Sequence, residues 1–222
     1  MRNARSFVLA VVAVMVAACA DGGPTSPAGE SPSFGVVGTE AQIRHQELKQ
    51  QLATERARLK RERELGKEDF EIAEREWKAY REQLKRSKKL KDGWVVELLR
   101  CHPRPFEGDA EIIGPDGGTL HIGEHQLVIP RGALTEEQLI VAEATTSSLV
   151  DVEFSPEGLQ FQRPAQLTVS YKNCDVPAGV DLRLVYLGVG NRVLEWPSSD
   201  DDRTTSEVTG EIHHFSRYAV AY

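Results

Sequence analysis

Hydrophobic positions along the chain follow three different rules. Residues 7–18 form one short unbroken apolar run, preceded by Arg2 and Arg5 and ended by Cys19. From 40 to 92 apolar residues become sparse and helical in spacing: Phe70, Ala73, Trp77, Tyr80 and Leu84 step by 3, 4, 3 and 4, which places them on one face. Leu48, Leu52 and Leu59 continue that phase upstream, with Glu55 and Glu62 interrupting it. The stretch lacks proline and is built from good helix formers, so it predicts a helix, about 78 Å long if continuous. Gly66 is where a kink or a two-helix hairpin is expected, and Gly93 is the stop. Beyond 93 the period shortens to two, as in Gln166–Tyr171 and Leu182–Tyr186. Turn clusters recur between such runs: Gly114-Pro115-Asp116-Gly117-Gly118, Pro130-Arg131-Gly132, Pro156-Glu157-Gly158, Pro177-Ala178-Gly179 and Gly188-Val189-Gly190-Asn191. Short alternating strands with such punctuation predict an antiparallel β-sandwich. The expected fold class is therefore mainly β, with a long charged α-helix preceding a C-terminal sandwich.

Composition sharpens these boundaries. Residues 21–38 contain eleven Gly, Pro or Ser among eighteen, the make-up of a flexible linker with little to bury. Residues 40–92 carry 16 Lys or Arg against 12 Asp or Glu, whereas residues 93–222 carry 9 against 20. Opposite net charges of +4 and −11 would let helix and sandwich dock through contacts that salt weakens. The aromatic seam then lies on the sandwich. Alternatively, Trp77 and Tyr80 contact a partner or a second copy as a short coiled coil, or the basic helix meets anionic lipid or cell-wall polymer. Interspersed acids argue against nucleic acid.

The first regime has the form of a secretory signal, shorter than the roughly 20 apolar residues a spanning helix requires. Its end, Val16-Ala17-Ala18-Cys19, resembles the bacterial lipobox, in which cleavage precedes a cysteine whose thiol receives a diacylglycerol. Lipidation at Cys19, export and anchorage to the cell envelope are the expectations. Ala20 in place of an aspartate favours the outer membrane where there are two. Cys101 and Cys174 then form an even pair in an oxidising compartment and read as a disulfide. Free thiols or a metal pair are the alternatives, and neither cysteine has the local C-x-x-C spacing of zinc sites.

Ile113-Gly114-Pro115-Asp116-Gly117-Gly118-Thr119-Leu120 opens an ordered set of segments. Leu127-Val128-Ile129-Pro130-Arg131-Gly132-Ala133-Leu134 follows, then Phe154–Phe161 with Pro164 and Leu167, Tyr171-Lys172-Asn173-Cys174, and finally His214-Phe215-Ser216-Arg217-Tyr218-Ala219-Val220. In order and spacing they resemble the ZU-five domain, the sandwich of ankyrins, zonula-occludens proteins and netrin receptors, and especially its bacterial lipoprotein-borne form. The resemblance covers residues 109–222 and implies a module for protein contact. The organisation read from the whole chain is a signal peptide over 1–18, a lipidated linker over 19–39, a helical spacer over 40–92, a connector over 93–108 and the sandwich over 109–222.

One triplet carries a further implication. In some ZU-five relatives a His-hydrophobic-Ser/Thr sequence similar to His214-Phe215-Ser216 cleaves its own backbone. Ser216 would attack the Phe215 carbonyl with His214 as base, the general requirement for a serine nucleophile. In an extended strand His214 and Ser216 share a side. Packing of Phe215 and Tyr218 in a last strand explains the same residues without chemistry. His121 with His125, or Asp200-Asp201-Asp202, are weak metal candidates, and no motif for chemistry on a foreign substrate is present. No enzyme activity, cofactor or metal is expected. The function expected is that of an envelope-anchored module for protein contact or envelope structure, with self-cleavage or cell-wall binding as alternatives.

Overall fold

The computed structural model describes residues 40–86 and 97–222. Cys19, the apolar run, the linker and the last residues of the expected helix lie outside the described residues. Helix α1 spans Glu40–Leu65 and α2 spans Lys67–Arg86. Gly66 stands between them, yet its N–H donates to Glu62 at 2.8 Å and its carbonyl accepts from Phe70 at 3.0 Å. The i→i−4 ladder therefore runs through the glycine, and the hairpin alternative is not adopted.

Among the described residues eleven strands follow: β1 (Glu107–Ile113), β2 (Gly118–Ile122), β3 (His125–Ile129), β4 (Gln138–Ala144), β5 (Asp151–Ser155), β6 (Gln160–Ser170), β7 (Arg183–Leu187), β8 (Val193–Glu195), β9 (Ser199–Asp202), β10 (Glu207–His214) and β11 (Arg217–Ala221). They form two antiparallel sheets, ordered β1-β4-β5-β11-β7-β8 and β2-β3-β6-β10-β9. The predicted sandwich is what the chain builds.

Alternation explains why these segments become strands. On β3, His125, Leu127 and Ile129 are buried while Gln126 and Val128 are only partly covered, so one face enters the core. Pro130 then stops the strand because it has no N–H for the ladder. Gly117 opens β2 at φ 79°. A Cβ there would lie 2.4 Å from the Ile129 carbonyl oxygen, so only glycine fits this turn.

Between the sheets, Phe154, Phe161 and Phe215 form an aromatic centre. Phe215 stacks on Phe154 at 5.1 Å and meets Phe161 edge-on at 5.0 Å, both favoured aromatic geometries. Leu120, Leu127, Leu167, Val208 and Ile212 surround it. The Cys101 and Cys174 sulfurs lie 1.98 Å apart, at disulfide distance, across 73 residues of sequence. The pair fastens the segment entering the sandwich to the one leaving β6.

Candidate functional site

The chain changes sheets at the triplet singled out above. His214 ends β10 in one sheet and Arg217 begins β11 in the other, leaving Phe215 and Ser216 at the crossing. The premise that His214 and Ser216 share one face of an extended strand is therefore corrected: the backbone bends between them. The imidazole Nε2 lies 3.5 Å from Glu195 and the ring packs edge-on against Tyr186 at 5.0 Å. Its polar contact is thus with Glu195 rather than with the Ser216 hydroxyl.

What holds the corner is its backbone. The Tyr218 hydroxyl donates to the His214 carbonyl at 2.7 Å, the tyrosine-corner arrangement that pins a crossing strand in sandwiches. Burial pushes the Tyr218 phenol well above its ordinary range, so it remains a donor. Gly158 N–H donates to the Phe215 carbonyl at 3.0 Å, and Phe154 N–H to the Ser216 carbonyl at 3.1 Å. Phe215 N–H in turn donates to Leu159 at 2.9 Å. Three consecutive carbonyls are thereby satisfied, as buried backbone requires.

Beside the corner is a pair that local spacing did not reveal. Arg217 Nε donates to Asp151 at 2.6 Å and Arg217 Nη1 to Asn191 at 2.8 Å. The Asp151 side chain is only 1 % exposed, and Thr145 and Ser147 also donate to it. This charge-assisted cluster fastens β11 to β5.

The second candidate is the face covered by the helices. Leu59 of α1 packs with Ala110 of β1 and Val141 of β4, flanked by Leu52, Phe106 and Leu139. Gly108 makes that approach feasible, since a Cβ there would sit 2.8 Å from Leu59 Cδ2. Around this small apolar plug the two charge regimes meet. Arg56 pairs with Glu111 at 2.5 Å and Arg63 with Glu107 at 2.6 Å. Arg58 pairs with Glu143, and Arg44 with Glu136. The Arg44 guanidinium holds the Glu136 carboxyl below its ordinary range, and the hydrogen bonds that Arg58 donates to Glu143 and Glu55 push its pKa up. Arg56 Nε also donates to the Ala110 carbonyl at 3.1 Å, capping a group on the edge strand β1. Farther along, Glu74 of α2 reaches His102 at 2.8 Å and Arg81 reaches Asp175 at 3.3 Å.

Trp77 is 3 % exposed, so its indole is consumed within this chain and is not offered to a partner in this arrangement. Tyr80 stands on α2, with its side chain outside the described residues. Of the basic residues on the helices, Arg44, Arg56, Arg58, Arg63 and Arg81 pair with carboxylates of the sandwich while their side chains stay 40–53 % exposed.

The weaker metal candidates do not assemble. His125 pairs across the β2–β3 hairpin with Ile122, and His121 with Gln126. His125 is buried and His121 exposed, so the two rings point to opposite faces. Burial lowers the His125 pKa to about 4, and its Nδ1 accepts from Ser170 N–H at 3.1 Å. In the acidic triplet, Asp201 accepts from the Tyr171 hydroxyl at 2.6 Å and pairs with Arg203 at 2.6 Å, while Asp202 accepts from Thr204 N–H at 2.8 Å. Asp202 thus closes its own turn, and Asp201 ties that turn to Tyr171. Among the described residues no cluster of three or more His, Cys, Asp or Glu is placed to hold a metal, and no helix is long and apolar enough to cross a membrane. No family model matches the sequence, and no curated protein matches it.

Proposed function

We propose that this chain is an exported lipoprotein, lipidated at Cys19, that presents a ZU-five-like sandwich for protein contact at the cell envelope. The observation that carries the reading is Val16-Ala17-Ala18-Cys19 at the end of a basic-then-apolar leader. The Cys101–Cys174 pair at disulfide distance supports it, because such bonds persist in oxidising compartments. The cleft of about 630 Å³ between the two helices and the β4–β5 loop is lined by charges of both signs, among them Glu62, Asp69, Glu76, Arg100 and Arg217. That lining suits surface contact better than catalysis, which draws on a few convergent groups in an enclosed pocket. Metabolic labelling with radiolabelled palmitate tests the reading. Label should enter the native chain and be absent from Cys19→Ser. Equal labelling of both, or none in either, would reject it.

A second reading rests on one contact, Gly158 N–H on the Phe215 carbonyl. It is placed to stabilise an oxyanion if the Ser216 hydroxyl attacks that carbon. The Phe215–Ser216 C–N bond would break as the ester forms. Water would then hydrolyse the ester, leaving the Phe215 carboxylate and restoring the Ser216 hydroxyl beside a new amino terminus. His214 would have to leave Glu195 to act as base. Separation of the denatured protein tests this reading: a fragment comprising residues 216–222 is expected if cleavage occurs, and its absence from aged protein rejects it.

A further inference from the structure

We propose that the outer face of β1 and β4 is a docking face for an arginine-bearing helix, and that α1 is its resident, releasable occupant. The main core between the sheets contains no residue of either helix, so the sandwich closes without them. Of α1, only Leu59 is buried. Leu52 packs beside it, Arg56 donates to the Ala110 carbonyl and His45 meets Glu137; the rest of its attachments to the sandwich are ion pairs whose arginines stay 40–53 % exposed. Such pairs are individually weak and are screened by salt. Helix α2 is held differently, by the buried Ala73 and Trp77, and Gly66 separates the two segments.

The ground beneath α1 specifies what fits there. An apolar strip of Phe106, Ala110, Leu139 and Val141 is flanked by the carboxylates of Glu107, Glu111 and Glu143. Gly108 leaves the room that Leu59 fills. An occupant therefore needs one leucine-sized side chain for that notch and cations a turn to either side. Arg56, Arg58 and Arg63 supply them around Leu59, so the recognised pattern is Arg-x-Arg-Leu-x-x-x-Arg on a helix. A partner helix with this spacing would compete with α1 for the same carboxylates. The proposal deepens the protein-contact reading by naming the surface and the partner chemistry, and it does not depend on the lipid anchor.

The test uses the full chain in two forms, native and carrying Arg56→Glu, Arg58→Glu and Arg63→Glu, with a fluorescently labelled peptide of residues 40–65 as probe. At low ionic strength the peptide should bind the released variant at least tenfold more tightly than the native chain, whose face is occupied. Binding should be lost in about 0.5 M salt, where the Debye length falls well below 10 Å. It should also be lost when Glu107→Gln, Glu111→Gln and Glu143→Gln are added, which leave the reversed helix unpaired and so exclude capture by that helix itself. Equal affinity for the native and released chains, or no binding to either, would overturn the proposal. So would loss of the sandwich's cooperative thermal transition in the released variant, because α1 would then belong to the fold. Leu59→Ala provides an independent release that leaves every charge in place, and the same gain in peptide binding is expected from it.

Discussion

At the scale of single residues, the corner between the sheets is maintained by groups that turn backbone polarity inward. Removing only the Tyr218 hydroxyl, in Tyr218→Phe, strands the His214 carbonyl while keeping the ring in the core. A loss of about 1–3 kcal/mol is expected, measured by urea denaturation with an unchanged slope. Replacing Arg217 by Met leaves the carboxylate of Asp151, 1 % exposed, without its cation. This should cost about 3–5 kcal/mol, more than the tyrosine change. Similar losses for the two variants would mean that the ion pair contributes little to holding β11 on β5.

His125 adds a pH dependence whose sign follows from burial. Its folded pKa is lowered to about 4, whereas the unfolded chain takes up the proton near 6.5. The neutral native ring therefore contributes stability that is fully present above pH 6.5 and is lost as pH falls from there towards 4. The loss approaches about 3 kcal/mol. His125→Asn retains an acceptor for Ser170 N–H and cannot titrate, so the stability difference between native and variant should change across that window. A constant difference from pH 7 to 4 would contradict the assignment.

At the scale of elements, what was legible in the sequence is what local period and local turns encode. The turn clusters around Gly117 and Pro130 and the alternation through Gln166–Tyr171 are decided within a few residues, and they appear as expected. The helical seam is legible for the same reason, and Trp77 lies buried on it. What a period of two or 3.6 cannot encode is the identity of a distant neighbour. Asp151 and Arg217 are 66 positions apart, and β1 finds β4 rather than β2 as its ladder partner. That residues 214–216 cross from one sheet to the other is likewise invisible locally, because the crossing depends on where β5 and β6 already lie. Charge was the one long-range signal visible in composition: it indicated that helix and sandwich attract, without revealing the register that pairs Arg63 with Glu107. The disulfide is also an element-scale constraint. Reduction should lower stability by on the order of 4 kcal/mol in the chain-entropy model, seen as a shifted denaturation midpoint with and without dithiothreitol.

At the scale of the whole molecule, a sandwich with its own core carries a helix laid across its outer face, and the proposed lipid lies on the amino-terminal side of that helix. The proposed anchor and linker, in series with that helix, would suit presentation of a contact surface. The central claim is covalent attachment at Cys19, and the most direct measurement is the intact mass of the protein taken from the membranes of the cells that make it. The expected mass is that of residues 19–222 plus one diacylglyceryl group on the Cys19 thiol and one acyl chain in amide linkage on the amino group that cleavage frees, less two hydrogens for the disulfide. A mass matching the unmodified polypeptide from Met1 would contradict the account.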